Sequence, residues 1–119
     1  MFIKFCMSSN IIELTVDTNE KFDSEISNIK SCVVVDFWAP WCGPCRMMSD
    51  IIVDLADTMP KVKFLKINVD KCIHLASRFK VQSIPFFILF KNGKIVDQQV
   101  GRLTKDNMIE WINKSNEDE

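Results

Sequence analysis

A central mixed β-sheet flanked by helices, with elements in the order β-α-β-α-β-α-β-β-α, is the α/β fold class that three features of this 119-residue chain predict. The run Cys32–Ala39 is rich in valine and aromatics. It is too short for an ordinary long helix and too uniformly apolar for a strand with one wet face, so it reads as a central strand buried on both sides. After it, Met48, Ile51, Ile52, Leu55, Ala56 and Met59 recur at helical spacing and form one apolar stripe. Then Leu65, Ile67 and Val69 alternate with Lys66 and Asn68, which is the period of a strand. Together they make a β-α-β unit.

The remaining elements follow from the same periodicities. Ile11–Thr15 is a short first strand, and Asn19–Ile29 a helix with Phe22, Ile26 and Ile29 along one face. Pro44 suits the first turn of the next helix, where its missing N–H would have had no intrahelical acceptor, and Pro60 closes that helix. Val62–Asp70 is the third strand. Cys72, Leu75, Ala76 and Phe79 mark a short helix with His74 on its more polar side. Ile84–Phe90 and Ile95–Val100 form an antiparallel pair around Asn92-Gly93, residues that tolerate the positive φ angles of a tight turn. Met108, Ile109, Trp111 and Ile112 give a last helix its apolar face, with Thr104 as its cap. No repeat or composition-shifted hinge divides the chain, so residues 1–119 are expected to form a single domain. Residues 1–7 are an extension, or Met7 the biological start, and residues 115–119 a frayed tail.

Composition narrows the function. Fifteen basic against sixteen acidic residues leave a formal charge of −1, without the cationic field that nucleic acid or an anionic membrane requires. A 47% hydrophobic content with three Gly and four Pro describes an ordered chain with a real core. No apolar run approaches the eighteen or so residues that span a bilayer. The opening MFIKFCM lacks a sustained apolar stretch and a small-residue cleavage site, so a cytoplasmic address is expected.

Five cysteines stand at 6, 32, 42, 45 and 72, and the pair in WCGPC is the distinctive feature. Cys42 and Cys45 can close a disulfide if their side chains converge at a helix start, and this pair lies between a strong strand and a strongly periodic helix. Cys42, at the positive end of the helix, is the natural thiolate and nucleophile. Cys45, one turn further in, is placed to attack a mixed disulfide and resolve it. Asp36 interrupts the buried strand, where an unpaired carboxylate is costly and its proton affinity tends to rise. It serves either as acid/base for Cys45 or in a polar network with Lys66 on the adjacent strand. Trp38 reads mainly as packing and Trp41 as a contact surface. Ile84-Pro85 brings a second loop toward the pair, where a cis Pro85 would present an extended backbone edge to a target peptide. Arg46 either tunes the thiolate or is a solvated charge.

The segments VDFWAPWCGPC (35–45), LKINVD (65–70), SIP (83–85), FKNG (90–93) and VG (100–101) together resemble the thioredoxin family over roughly Ile11–Asn113. The resemblance implies the thioredoxin fold and a general protein disulfide reductase working through Cys42 and Cys45. It implies Asp36 and Lys66 as a buried charge pair behind the disulfide. Trp41, Gly43, Pro44, Ile84, Pro85 and Gly101 would then contact the partner, with Gly101 permitting close approach. No cofactor would be bound. Electrons would come from NADPH through a flavoprotein, thioredoxin reductase, or from a ferredoxin-linked pathway, and the partners would be that reductase and disulfide-containing proteins. Two positions depart from the family pattern. Phe86 stands where threonine is usual, so the core is repacked or the peptide pocket altered. Asp50 stands where a kinking proline is common, which predicts a straighter or differently bent helix.

Other readings compete. A structural zinc module would need Cys6, Cys32, Cys72 or His74 to converge on the pair. A noncatalytic interaction domain, or an oxidase or isomerase of the same fold, would keep the scaffold and change its use. Cys32 is expected in the core, Cys72 is read mainly as packing, and His74 is expected on a helix surface. The protein is expected to be a monomer, with an oxidation-dependent dimer through Cys72 if that thiol is exposed.

Overall fold

The computed structural model describes residues 10–27 and 31–116. Nine elements follow one another: β1 (Ile11–Leu14), α1 (Asn19–Ile26), β2 (Cys32–Trp38), α2 (Gly43–Thr58), β3 (Lys63–Asn68), α3 (Ile73–Arg78), β4 (Phe86–Lys91), β5 (Lys94–Val100) and α4 (Lys105–Asn116). The strands lie side by side as β1-β3-β2-β4-β5. β2 is therefore central, parallel to β3 and antiparallel to β4, which matches its apolar sequence on both faces.

The two-residue period of the strands sorts the core into two layers. Val34 and Phe64 pack with Met48, Ile52 and Leu55 of α2 and with Met108 and Ile112 of α4. Val33, Val35, Phe37, Leu65 and Ile67 pack on the opposite face with Phe22 and Ile26 of α1 and Leu75 of α3. Phe22, Phe37, Phe64 and Phe87 are fully buried, and burial of each such ring contributes about 2–3 kcal/mol.

Side-chain oxygens start three helices. Thr18 Oγ1 accepts from Lys21 N–H at 3.2 Å, and Thr104 Oγ1 from Asn107 N–H at 3.1 Å. For α3 the acceptor comes from elsewhere in the chain, because the Asp17 carboxylate receives the N–H groups of His74 and Leu75 at 2.7 and 2.8 Å. Asn92 and Gly93, at φ 54° and 76°, make the β4–β5 turn.

The expected element order holds, and the boundaries move for local reasons. β4 begins at Phe86 instead of Ile84, since Pro85 has no N–H to give a sheet; the Ile84-Pro85 bond is cis. β3 is confined to Lys63–Asn68, because the Asn68 carbonyl turns to receive Lys71 and Cys72 N–H at 3.1 and 2.8 Å. α1 ends at Ile26. Ile29, Cys6, the 1–7 extension and residues 117–119 lie outside the described residues. Among the described residues no helix is long and apolar enough to cross a membrane.

Candidate active site at the start of α2

β2 runs out at Trp38, and a short turn carries the chain into α2 with Cys42 as its N-cap. Cys42 has extended backbone angles, φ −89° and ψ 110°, and its Sγ accepts from Cys45 N–H at 3.2 Å. The turn is closed by Cys42 N–H to the Ala39 carbonyl at 3.2 Å and by Arg46 Nη1 to the Pro40 carbonyl at 2.9 Å. Arg46, of open role in the sequence, thus pins the loop ahead of the pair. Cys42 and Cys45 form a disulfide, with Cα atoms 5.2 Å apart. Both sulfurs pack with Ala39, backed by Trp38, Val69 and Ile84. Once reduced, Cys42 would hold its thiolate against a backbone N–H and the positive end of a 16-residue helix, both of which favour the charged form.

Asp36 lies on the β2 face that α2 covers. It alternates with Val35 and Phe37, which face the other way, and its register partner Lys66 reaches Ser49 of α2, Nζ to Oγ 3.1 Å. The Asp36 carboxyl is 1% exposed, and its Oδ1 has no hydrogen-bond partner. Burial pushes its pKa up to about 7; the Lys66 charge pulls it down, and the Glu13 charge pushes it further up. Lys66 is only half-buried and gives its hydrogen bond to Ser49, so it acts on Asp36 through its field.

Around the pair the surface is apolar and open. Trp41 is 68% exposed, with its indole N–H held by Asp70 Oδ2 at 3.0 Å. It lines a cavity of about 380 Å³ with Val69, Val81, Gln82, Ser83 and Ile84. Gly43 and Pro44 open α2 beside the sulfurs. Pro85 itself is buried, and its carbonyl already accepts from Gly101 N–H at 2.8 Å. Gly101 has φ 91°, a left-handed conformation that only glycine adopts without strain, and a Cβ there would meet nothing within 4 Å.

The sequence model of the thioredoxin family matches residues 13–114. The chain belongs to the thioredoxin family. The thioredoxin of Rickettsia bellii is 42% identical over 110 residues, covering 92% of this chain and 99% of that one. The chloroplastic M-type thioredoxin of Triticum aestivum is 37% identical over 111 residues, covering 92% of this chain and 63% of that protein. Among solved structures, oxidised mitochondrial thioredoxin 3 from Saccharomyces cerevisiae superposes with a TM-score of 0.79 at 30% identity, over 90% of this chain and 97% of that one. As a thioredoxin-family oxidoreductase with its disulfide at the mouth of α2, the protein carries out dithiol-disulfide exchange.

The two departures from the thioredoxin pattern have plain structural outcomes. Phe86 is 7% exposed and packs on Phe37, ring centroids 5.9 Å apart, so its bulk is absorbed by the core on the α1 and α3 side. α2 runs without interruption through exposed Asp50. The remaining sulfurs lie elsewhere. Cys32 is buried in the layer with α2. Cys72 is fully buried in the other layer, its Sγ 3.7 Å from the Leu14 carbonyl, so the exposure that a Cys72-linked dimer requires is not met. Burial pushes the Cys72 thiol pKa up, with Asp17 and Glu13 adding to it. In the reduced native protein, iodoacetamide is therefore expected to label Cys42 and spare Cys72 until denaturant is added. Peptide mass mapping checks this, and native labelling of Cys72 would contradict the burial. His74 lies on the surface as expected, its ring 3.1 Å from Asn19 Oδ1. Among the described residues no group of three or more His, Cys, Asp or Glu side chains is arranged to hold a metal ion.

Three residues of this neighbourhood escaped the sequence reading: Ser49, Asp70 and Glu13. Ser49 and Asp70 carry no sequence signal, because their roles arise from tertiary contacts. Glu13 had one. It sits two residues after buried Ile11 on β1, so strand alternation turns it to the covered side of the sheet.

Proposed function

We propose that this protein is a general protein disulfide reductase of a reducing, cytoplasmic compartment, acting as a monomer and recharged by a flavoprotein thioredoxin reductase that draws on NADPH. The observation that carries this reading is Cys42 as the N-cap of α2, bonded to Cys45 one turn in, beside the exposed Trp41 and its open apolar groove.

The Cys42 thiolate attacks one sulfur of the target disulfide. A Cys42–target bond forms, and the other target sulfur leaves as thiolate and takes a proton from solvent. Cys45 gives its thiol proton to the Asp36 carboxylate and attacks Cys42 Sγ; the second target sulfur leaves and is protonated in turn. The target gains two electrons and two protons, and the Cys42–Cys45 disulfide is restored. Lys66 supports the charged form of Asp36 in this step. The extended target segment lies across Trp41, Ile84 and the Gly101 loop, with Gly43 and Pro44 beneath it.

A coupled assay tests the reading: candidate NADPH-dependent and ferredoxin-linked reductases, a protein disulfide substrate and the native chain. Catalytic reduction with an NADPH-dependent flavoprotein is the expected result. A Cys42–Cys45 bond that forms reversibly but never exchanges with protein disulfides would overturn it.

A further inference from the structure

Three charged side chains cross the sheet in one line. Glu13 of β1 is the register partner of Lys66 on β3, and Lys66 is the register partner of Asp36 on β2. Register partners in a parallel ladder project to the same face, and here that face is the one α2 covers. The row is braced at Trp38, whose indole N–H donates to Glu13 Oε2 at 3.3 Å while Lys66 Nζ lies 4.8 Å above its ring. Trp38 in turn packs on the sulfur cluster, so the row is mechanically joined to the reactive pair. Glu13 also lines two cavities, of about 120 and 260 Å³, one toward Ser49 and the other toward Asn68.

We propose that Glu13 is a positioning residue for disulfide exchange, its carboxylate acting across Lys66 to set the pH at which Asp36 accepts the proton of Cys45. This rests on the exchange mechanism above. Lys66 lies between two carboxyl groups of the same row; its charge favours the ionised form of Asp36, and the Glu13 charge opposes it. Removing the outer carboxylate leaves the Lys66 charge unopposed at the inner one. Glu13 is exposed at the edge of the sheet; partial desolvation raises its pKa, and its hydrogen bond from Trp38 and the charges of Lys66 and Lys71 oppose the rise. The other groups facing Asp36 do not compete for this role. β4 offers Phe87 as its register partner, α4 packs Met108 and Ile112 into that layer, and α2 packs Met48, Ile52 and Leu55 there while its Ser49 holds Lys66. The proton that Cys45 loses goes to Asp36 and returns to solvent; no electrons pass through the row.

Glu13→Gln tests this, because it removes the charge and keeps an acceptor for Trp38. The Asp36 carboxyl carbon is followed by NMR titration in the oxidised protein, and the rate of mixed-disulfide resolution against pH in the reduced one. Both midpoints are expected to move to lower pH together, changing the ratio of the two Asp36 forms about twofold for a screened charge at this range. Glu13→Lys is expected to move them further the same way. An Asp36 midpoint unchanged in both variants overturns the proposal, as does a moved midpoint with an unmoved rate profile. Failure of the unmodified protein to exchange at any pH would instead overturn the reductase reading, while the carboxyl titration still tests the electrostatic row.

Discussion

Cys42→Ser is expected to reduce disulfide turnover to background, whereas Cys45→Ser is expected to accumulate covalent complexes with target proteins. Exposure does not distinguish the two sulfurs, at 5% and 3% in the disulfide. Position on the helix does. Cys42 is the cap, its sulfur receiving a backbone N–H, while Cys45 lies inside the first turn and gives the N–H instead of receiving one. The thiolate is therefore stabilised at Cys42, and without it no mixed disulfide forms at a useful rate. With serine at 45, Cys42 still attacks and the target becomes bonded to it, but a hydroxyl cannot displace sulfur from sulfur and the complex persists. Non-reducing electrophoresis with intact-mass analysis reads the difference. Equal accumulation by the two variants would contradict the assigned roles.

The second large effect is at Asp36, and it has opposite signs for stability and rate. In an unfolded chain this carboxyl has its ordinary pKa of 3.8; in the folded, oxidised protein burial raises it to about 7. Between those values the folded state binds more protons than the unfolded one, so stability falls as pH rises from about 4 to about 7 and is level above that range. Asp36→Asn removes this penalty. The variant is expected to be more stable above pH 7 by up to about 4 kcal/mol, and the slope of stability against pH in the acid range is expected to flatten. Urea unfolding at pH 5 and pH 8 checks it, and a variant less stable at pH 8 would contradict it. The same change deprives Cys45 of its base. Exchange is expected to slow by roughly tenfold or more near neutrality, and much less in alkali, where the thiol ionises unaided. An unchanged pH profile would exclude proton transfer through Asp36.

Much of this architecture is readable from local pattern because the pattern is strong where the fold is most constrained. Cys32–Ala39 is apolar on both faces because β2 is central. The stripe from Met48 to Met59 is regular because α2 must cover a sheet. WCGPC sits at their junction. What sequence could not supply is distance across the fold. Alternation places Asp36 and Lys66 on adjacent strands but cannot say that the ammonium turns to Ser49. The SIP segment suggests a contact loop without showing that the Pro85 carbonyl is already taken by Gly101. The packing expected for Cys72, by contrast, is met: it falls inside the core although it follows the polar Asp70-Lys71.

The reactive turn is continuous with the innermost strand of the sheet, while β1 and β5 form its rims. Transient loosening spreads inward from edges and termini, where few buried contacts resist it. β5 is exposed along most of its length, whereas Val33–Phe37 of β2 is buried throughout. The sulfur pair is thus anchored in the part of the molecule that opens last. Trp41, Gly43 and Pro44 belong to the same anchored segment, so the electron-carrying bond and the surface beside it keep a common setting.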